Sequence, residues 1–328
     1  MYKILLLIVS LLTLSFRVKA QKNSAPLPVI LDTDMGPDYD DTGAITLLHA
    51  FADKGEATIL ATIASTKYEG VAAVLNVFNT YFNKQDIPIG VPRGNALTLK
   101  DSQHWTDTLI AKYPHTINNN NEVADAVAVY RKTLAAQPDS SVAIITVGFL
   151  TNLASLLKSL PDTYSPLSGK ELVKKKVKKL VSMAGKFPAG KEFNIEEDAA
   201  SAKYVFENWP TPVIFSGFEI GSKIKTGIPL IQNKQIKNSP VKDVYSICIP
   251  KAKEDSAGRM SWDQTAVLVA IKGANPYYKV RKGTIEIAAD GSNSWKENKD
   301  GNQYYLLENL PEKDVERIIN NLMMHQPE

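Results

Sequence analysis

The sequence predicts an α/β fold: a single domain in which helices flank a mostly parallel central sheet. Short apolar runs alternate with segments of helical apolar spacing along most of the chain, and this alternation is typical of strand–helix–strand units. A length of 328 residues is common for one α/β domain, although two smaller domains would also fit. With 44% apolar and 22% charged residues, the chain can bury a large core.

The predicted elements follow one another in this alternation. The apolar runs have the length of buried strands, and the segments between them have the spacing of helices. The predicted strands are 29–31, 58–64, 87–91, 142–147, 177–183 and 212–215. The predicted helices are 42–51, 71–82, 123–136, 152–160 and 199–208. Residues 267–271 form a further apolar run, and 100–122 and 221–242 are expected to be long loops, which are often functional in compact enzymes.

The first twenty residues have the features of a secretory signal. Lys3 precedes an apolar run at 4–14 that is short for a membrane span, and Ala20 supplies the small residue that a signal peptidase requires. We therefore expect a signal peptide at residues 1–20 and a catalytic domain at 21–328. The mature protein should be secreted or periplasmic and, after cleavage, not bound to a membrane. An uncleaved N-terminal anchor is the alternative.

Charge and cysteine content restrict the function only slightly. The 38 basic and 35 acidic residues give a formal net charge of +3, which argues neither for nor against a nucleic-acid partner. The single cysteine, Cys248, excludes an intrachain disulfide and a zinc site built from cysteines. The lysines at 174, 175, 176, 178 and 179 are interpreted as the solvated end of a helix.

Five aspartates lie within ten residues directly after the first predicted strand, at positions 32, 34, 38, 40 and 41. Several carboxylates on one tight turn repel one another unless a cation neutralises them. Oxygen ligands without histidine or cysteine suit a hard cation, calcium or magnesium. Because α/β proteins bind ligands at the carboxyl ends of their strands, this run is the first candidate for a functional site.

Other interpretations of the acidic run remain open. An EF-hand loop needs a helix on both sides and a glutamate at its twelfth position, whereas a strand precedes this run. An aspartyl phosphotransferase could use Asp32 and Asp34, but no further phosphate-binding element stands out. A solvated turn that caps a helix needs one aspartate rather than five.

Four segments together resemble the inosine–uridine-type nucleoside hydrolases. They occur in the order of that family at residues 32–41, 147–154, 192–195 and 262–266. The resemblance implies a Rossmann-like single α/β domain with calcium at the carboxyl ends of the strands. It also implies calcium-dependent hydrolysis of the N-glycosidic bond of ribonucleosides, which gives free base and ribose.

The resemblance also implies a calcium site. Asp34, Asp41 and Asp263 would be carboxylate ligands, and the backbone carbonyl of Val147 would be a further ligand. Asp34 would in addition hold the attacking water and accept its proton. Calcium chemistry of this kind is coherent, because a bound cation activates water and a nearby carboxylate removes the proton.

The remaining matched positions imply a ribose site. Asp40, Glu192 and Asn194 would hold the hydroxyl groups of the sugar. The expected partner is therefore a small ribonucleoside rather than a nucleic acid. A homo-oligomer is also expected as possible, because members of the family are often dimers or tetramers.

The match departs from the family at the leaving-group position. Trp262 stands where many members have a histidine that protonates the departing base, and an indole can stack on a base but does not titrate. We therefore expect Trp262 to bind the base and His104, in the first long loop, to be the leaving-group acid. Tyr39, Tyr245 and Arg259 remain open as alternatives.

Three other positions are ambiguous in the sequence. Asp38 belongs to an insertion in the acidic run and is interpreted as a loop residue or one behind the site. Residues 65–68 replace an asparagine that the family has after the second strand. His49 lies on a mostly apolar predicted helix and is interpreted as a packed residue.

Two alternative functions remain open. The first is a nucleoside- or ribose-binding protein without catalysis, which would keep the metal and sugar residues but lack a leaving-group acid. The second is a hydrolase of some other ribosyl compound. Turnover of a panel of ribosides distinguishes them, and the complete set of Asp34, Asp41 and Asp263 favours the nucleoside hydrolase.

Overall fold

The computed structural model describes residues 25–327 of the chain. The predicted signal peptide, residues 1–20, lies outside these residues. Between residues 25 and 327, no helix is long and apolar enough to cross a membrane.

The described chain alternates between strands and helices through most of its length. The strands are β1 (Leu27–Thr33), β2 (Ala57–Ala64), β3 (Ile89–Val91), β4 (Ala124–Asp125), β5 (Val142–Thr146), β6 (Val177–Met183), β7 (Ala189–Lys191), β8 (Val213–Ser216), β9 (Lys225–Thr226), β10 (Arg259–Met260), β11 (Tyr278–Ile287), β12 (Ser292–Glu297) and β13 (Gln303–Glu308). The α-helices are α1 (Asp40–Asp53), α2 (Val71–Tyr81), α3 (Trp105–Lys112), α4 (Ala126–Ala135), α5 (Thr151–Lys158), α6 (Gly169–Lys176), α7 (Phe193–Glu197), α8 (Ala199–Asn208), α9 (Phe218–Gly221), α10 (Ile228–Gln232), α11 (Pro240–Cys248), α12 (Trp262–Lys272) and α13 (Glu312–Met323). Short 3-10 helices lie at Asn120–Glu122, Ile249–Lys251 and Lys253–Asp255.

Within the described residues, eleven strands form one sheet in the order β4-β3-β2-β1-β5-β6-β8-β13-β11-β12-β7. The neighbours from β4 to β13 run parallel, and β11, β12 and β7 extend the sheet with antiparallel pairs. Strands β9 and β10 form a separate pair. The prediction of an α/β fold with a mostly parallel central sheet is confirmed.

The direction of the strand order reverses beside β1. The chain adds β2, β3 and β4 on one side of β1 and then β5, β6 and β8 on the other side. At such a switch point a crevice opens beyond the carboxyl ends of the strands, and α/β proteins bind ligands there. Because β1 ends at Thr33 and β5 ends at Thr146, the segments that follow both strands begin in this crevice.

Both faces of the central strands are buried. Val29 and Leu31 of β1 pack into one core layer with helices α1, α2 and α12, whereas Ile30 packs into the other with α4, α5 and α8. Parallel sheets that carry helices on both faces have unbroken apolar strands. This explains why the short apolar runs of the sequence predict strands well.

The structure differs from the prediction outside the parallel core. The expected loop at 100–122 contains α3, and the expected loop at 221–242 contains α10 and the start of α11. The predicted helix 123–136 begins instead with the short strand β4. Three of the five lysines form the last turn of α6, as interpreted, but Lys178 and Lys179 belong to β6.

Candidate active site

A cavity of about 310 Å³ opens at the switch point of the sheet. Its wall combines the segments after β1 and β5 with residues from α7, α9 and the start of α12. The lining residues are Asp34, Asp38, Asp40, Val147, Met183, Lys191, Glu192, Phe193, Asn194, Glu196, Phe218, Arg259, Trp262 and Asp263. Most of the site residues predicted from the sequence therefore meet in one cavity; Asp41 and His104 are not part of its lining.

Aspartates from both ends of the chain meet at this cavity. Oxygen atoms of Asp38, Asp40 and Asp263 all lie within 4.8 Å of one another. Asp34, Asp41 and Asp263 are buried. Burial raises the pKa of each of these three carboxyl groups well above its usual range, and the neighbouring aspartates raise it further. Without a cation, the charged forms of Asp34, Asp41 and Asp263 would therefore destabilise the folded protein.

The donor set fits a hard divalent cation. One oxygen of Asp41 accepts a hydrogen bond from Thr33, but its Oδ2 is buried and has no hydrogen-bond partner among the described residues. An unpaired buried carboxylate oxygen is strongly destabilising, and a cation would satisfy it. The carbonyl of Val147 accepts one hydrogen bond, from Asn194 Nδ2 at 2.9 Å, so one of its two lone pairs remains for a cation. Carboxylates and a carbonyl are ligands that calcium and magnesium prefer.

Asp40 already has four hydrogen-bond donors. Its Oδ1 accepts from Arg259 Nε at 3.2 Å and Nη2 at 3.0 Å. Its Oδ2 accepts from the backbone nitrogens of Trp262 at 3.1 Å and Asp263 at 3.3 Å. A carboxylate offers about four acceptor positions, and here the protein fills all of them. Asp40 lines the cavity, and the expectation that it holds a ribose hydroxyl stays a prediction, although its carboxylate already has protein donors.

Arg259 connects the acidic run to the start of α12. Besides Asp40, its Nη2 lies 2.8 Å from Asp38 Oδ2. The guanidinium lies over the rings of Tyr39, at 4.9 Å, and Trp262, at 5.1 Å. Neither residue matches a family motif, so the sequence predicts Arg259 only as an alternative acid and Asp38 as a loop residue or one behind the site. The structure brings both to the cavity, where 42% of the Asp38 side chain is exposed.

Glu192 and Asn194 offer free acceptors to a ligand. Glu192 Oε1 accepts from the Asn194 nitrogen at 2.8 Å, and Oε2 accepts from Gly185 at 3.0 Å and Ile195 at 3.3 Å, so one position of about four remains. Burial raises the pKa of Glu192 to about 7. Both amide hydrogens of Asn194 are used, by the carbonyls of Val147 and Met183 (3.2 Å), so its oxygen is the group that can accept from a hydroxyl. This arrangement suits a sugar.

Aromatic rings form another part of the cavity wall. The rings of Trp262 and Phe218 lie 5.3 Å apart, and Trp262 Nε1 donates to the Phe218 carbonyl at 2.9 Å. Phe193 also lines the cavity and is 44% exposed. The indole N–H is therefore not available to a ligand, and these three rings provide flat apolar surface of the kind that accommodates a base.

The predicted leaving-group acid is not in the cavity. His104 precedes α3 with a positive φ of 61°, its side chain is 80% exposed, and its Nδ1 lies 3.5 Å from Asp107. It does not line the cavity, so its assignment as the acid is corrected. His49 is buried and stacks on Phe82 at 4.6 Å, which confirms that it is a packed residue. No histidine between residues 25 and 327 lines the cavity.

The tyrosines proposed as alternative acids are also engaged elsewhere. The Tyr39 hydroxyl donates to Asp255 Oδ2 at 2.6 Å. Tyr245 is fully buried, and its hydroxyl accepts from Gln264 Nε2 at 2.8 Å. Neither lines the cavity, and burial raises both pKa values. Among the three alternatives that the sequence left open, only Arg259 reaches the site.

Known proteins resemble this chain in sequence and in fold. Residues 29–311 match the family model of inosine-uridine preferring nucleoside hydrolases. The pyrimidine-specific ribonucleoside hydrolase RihA of Escherichia coli (strain SMS-3-5) is 26% identical over 229 residues, which are 67% of this chain and 69% of RihA. The plant nucleoside hydrolase PpNRh1 has a similar fold, with a TM-score of 0.68 at 17% identity over 91% of this chain and 99% of the plant chain. The inosine-uridine preferring nucleoside hydrolase of Bacillus anthracis has a TM-score of 0.66 at 16% identity over the same shares.

Proposed function

This chain belongs to the inosine-uridine preferring nucleoside hydrolase family, and we propose that it uses calcium to hydrolyse ribonucleosides to free base and ribose. Membership of the family establishes N-ribosyl hydrolysis by a metal-dependent enzyme. The observation that carries the calcium proposal is the buried Oδ2 of Asp41, which has no hydrogen-bond partner among the described residues and whose carboxylate has Asp34 and Asp40 as charged neighbours. A hard cation with a preference for oxygen ligands satisfies this set.

Asp34, Asp41, Asp263 and the carbonyl of Val147 would hold the cation. When bound, calcium supplies a Lewis acid that polarises oxygen ligands and offsets the charge of the cluster. Asp34 then serves as the general base, because it follows β1 directly and lines the cavity in which the attacking water must lie. Its carboxylate accepts the proton of that water.

Glu192 and Asn194 would hold the ribose. Their free acceptor positions fix the sugar hydroxyls, so that the anomeric carbon stays within reach of the water. Cleavage of the C–N bond builds positive charge on the sugar ring, and the surrounding carboxylates stabilise that charge. Trp262, Phe218 and Phe193 supply the apolar surface for the base.

The departing base receives no proton from a histidine of the cavity. Of the acids expected from the sequence, only Arg259 lines the cavity, and a guanidinium does not release its proton, so departure depends on how well the base leaves by itself. This feature also supports the second candidate, a protein that binds nucleosides without cleaving them. The two candidates make different predictions for activated substrates.

The test is product analysis of purified residues 21–328 with uridine, inosine and p-nitrophenyl riboside, in calcium and in EDTA. We expect free base and ribose in calcium and loss of activity in EDTA. The nitrophenyl riboside should be cleaved about a hundredfold faster or more, because it needs no acid.

Asp34→Ala should bind less calcium and lose turnover of all three substrates. Calorimetric binding of uridine without any product would instead establish the non-catalytic alternative.

We also propose that the catalytic domain, residues 21–328, is exported. The proposal is based on Lys3, the apolar run at 4–14 and the small residue Ala20. N-terminal sequencing of the protein from its native host should find Gln21 at or near the start. An intact Met1 on cytoplasmic protein would contradict export.

A further inference from the structure

We propose that the two aspartates flanking Tyr39 have separate tasks. Asp40 holds the start of α12 and thereby positions Asp263, whereas Asp38 is the aspartate that binds a hydroxyl group of the ribose. The inference rests on the proposed function, because it assigns roles within the same site. It departs from the roles that the sequence implies, in which Asp40 holds the sugar and Asp38 is a loop residue.

Helix α12 lacks a cap from its own N-cap residue. Ser261 makes no side-chain capping bond, since its hydroxyl pairs with that of Thr226 at 2.7 Å. The first N–H groups of a helix have no partner within the helix and need acceptors from elsewhere. Asp40 Oδ2 is such an acceptor. It accepts hydrogen bonds from the backbone nitrogens of Trp262 and Asp263, the first two residues of α12. A carboxylate at this end of a helix is also favoured by the helix dipole.

This contact joins two parts of the site that are far apart in sequence. Asp40 is the first residue of α1, and its neighbour Asp41 belongs to the expected cation ligands. Asp263 is the second residue of α12 and is the ligand expected from the other end of the chain. Because Asp40 accepts from the backbone of Asp263 itself, it fixes the distance between the two halves of the cation site. Arg259 donates two hydrogen bonds to Oδ1, the other oxygen of Asp40, and thereby holds the carboxylate in this orientation.

Asp38 has the opposite environment. Arg259 Nη2 is its one ion-pair partner among the described residues, and 42% of its side chain is exposed. Its carboxylate lies beside those of Asp40 and Asp263 and lines the cavity. Among the described residues Arg259 is thus the one cationic donor to Asp38, whereas Asp40 has four donor contacts, and the Asp38 carboxylate also lies against those of Asp40 and Asp41. A sugar hydroxyl is a suitable donor, because its hydrogen bond would replace those that water makes to the exposed part of this carboxylate.

The task of Asp40 is tested with Asp40→Asn. An amide keeps the size of the side chain but accepts on one atom only, so either Arg259 or the start of α12 loses its acceptor. We expect the metal-free protein to melt about 3 °C lower or more, and calcium binding measured by calorimetry well below the melting temperature to weaken about tenfold. Ser168→Ala is the matched control, since Ser168 caps α6 outside the site. It should lower the melting temperature but leave calcium affinity unchanged. An Asp40→Asn protein with wild-type calcium affinity would overturn the positioning role.

The task of Asp38 is tested by calorimetric titration of the calcium-loaded protein with D-ribose. Asp38→Asn and Asp38→Ala should each weaken ribose binding about tenfold or more, the usual effect of losing a charge-assisted hydrogen bond. Both variants should keep calcium affinity within about threefold and should not melt earlier, because a partly exposed ion pair stabilises little. Unchanged ribose affinity, or a loss of calcium affinity larger than that of ribose, would overturn the assignment. If the wild type binds neither calcium nor ribose, the proposed function fails and the Asp38 assignment fails with it. In that case the melting temperature of the metal-free Asp40→Asn protein still tests whether Asp40 caps α12.

Discussion

At the scale of single residues, the number of filled acceptor positions separates carboxylates that look equivalent in the sequence. Among the described residues, Asp40 has four donor contacts, Glu192 has three, and Asp38 has one, from Arg259. The spacing of the acidic run predicts that its aspartates lie together, and the structure brings Asp34, Asp38 and Asp40 to one cavity. The spacing could not predict their tasks, because the donors come from Arg259, Trp262 and Asp263, more than 200 positions away in the chain.

The buried Glu192 predicts how stability depends on pH. Burial raises its pKa from 4.5 to about 7 in the folded protein, so the folded state binds more protons than the unfolded state between these values. The free energy of unfolding should therefore fall as pH rises from about 4.5 to 7, by on the order of 3 kcal/mol at most from this group. Urea unfolding at pH 5.0 and 8.0 in EDTA measures the change.

The comparison variant for this measurement is Glu192→Gln. Glutamine cannot titrate, so the variant should lose less stability than the wild type between the two pH values, whatever its absolute stability. The aspartates of the cluster are present in both proteins, and most of their contribution cancels in the difference. An identical pH dependence for variant and wild type would show that Glu192 stays ionised throughout.

At the scale of helices and strands, the sequence predicts the parallel core well and the antiparallel edge poorly. Strand β6 and helix α8 have the predicted bounds, because their apolar residues pack against covered faces of the sheet. Strand β11 has four exposed residues in succession, and the apolar pattern that marks a strand is lost there. Helix α3 buries only Trp105, Thr106 and Leu109, which is too little to distinguish it from a loop.

The turn after β5 places the backbone of Val147 at the cavity. A side chain at Gly148 would put its Cβ 2.4 Å from the Asp34 nitrogen and 2.4 Å from Ser65 Oγ, so only glycine allows the two strand ends to approach. Ser65 accepts a hydrogen bond from the Phe149 nitrogen at 3.0 Å and fixes this turn. Ser65 is the first of residues 65–68, which stand where the family has an asparagine. It therefore still holds the segment that carries Val147.

At the scale of the whole molecule, the charge of the cavity is opposite to that of the chain. The formal net charge is +3, yet the cavity wall combines six carboxylates with two cations, Lys191 and Arg259. Lys191 is moreover paired with Glu196 at 3.0 Å, and Arg259 with Asp38 and Asp40. A bound divalent cation would offset only half of the excess of four negative charges. The local field, rather than the net charge, determines which ligands enter.

This field predicts that the enzyme prefers nucleosides to nucleotides. A 5′-phosphate would bring negative charge into a cavity that has no unpaired cation on its wall, so kcat/KM for uridine 5′-monophosphate should be about tenfold lower or more than for uridine. Higher ionic strength should narrow the difference, because salt screens the repulsion. Glu196→Gln should also narrow the difference, since it removes one carboxylate and leaves Lys191 with only its longer ion pair to Asp290, at 3.7 Å. Steady-state kinetics of both substrates at low and high salt measure these effects. A nucleotide cleaved as efficiently as the nucleoside at low salt would show that the phosphate points away from this wall.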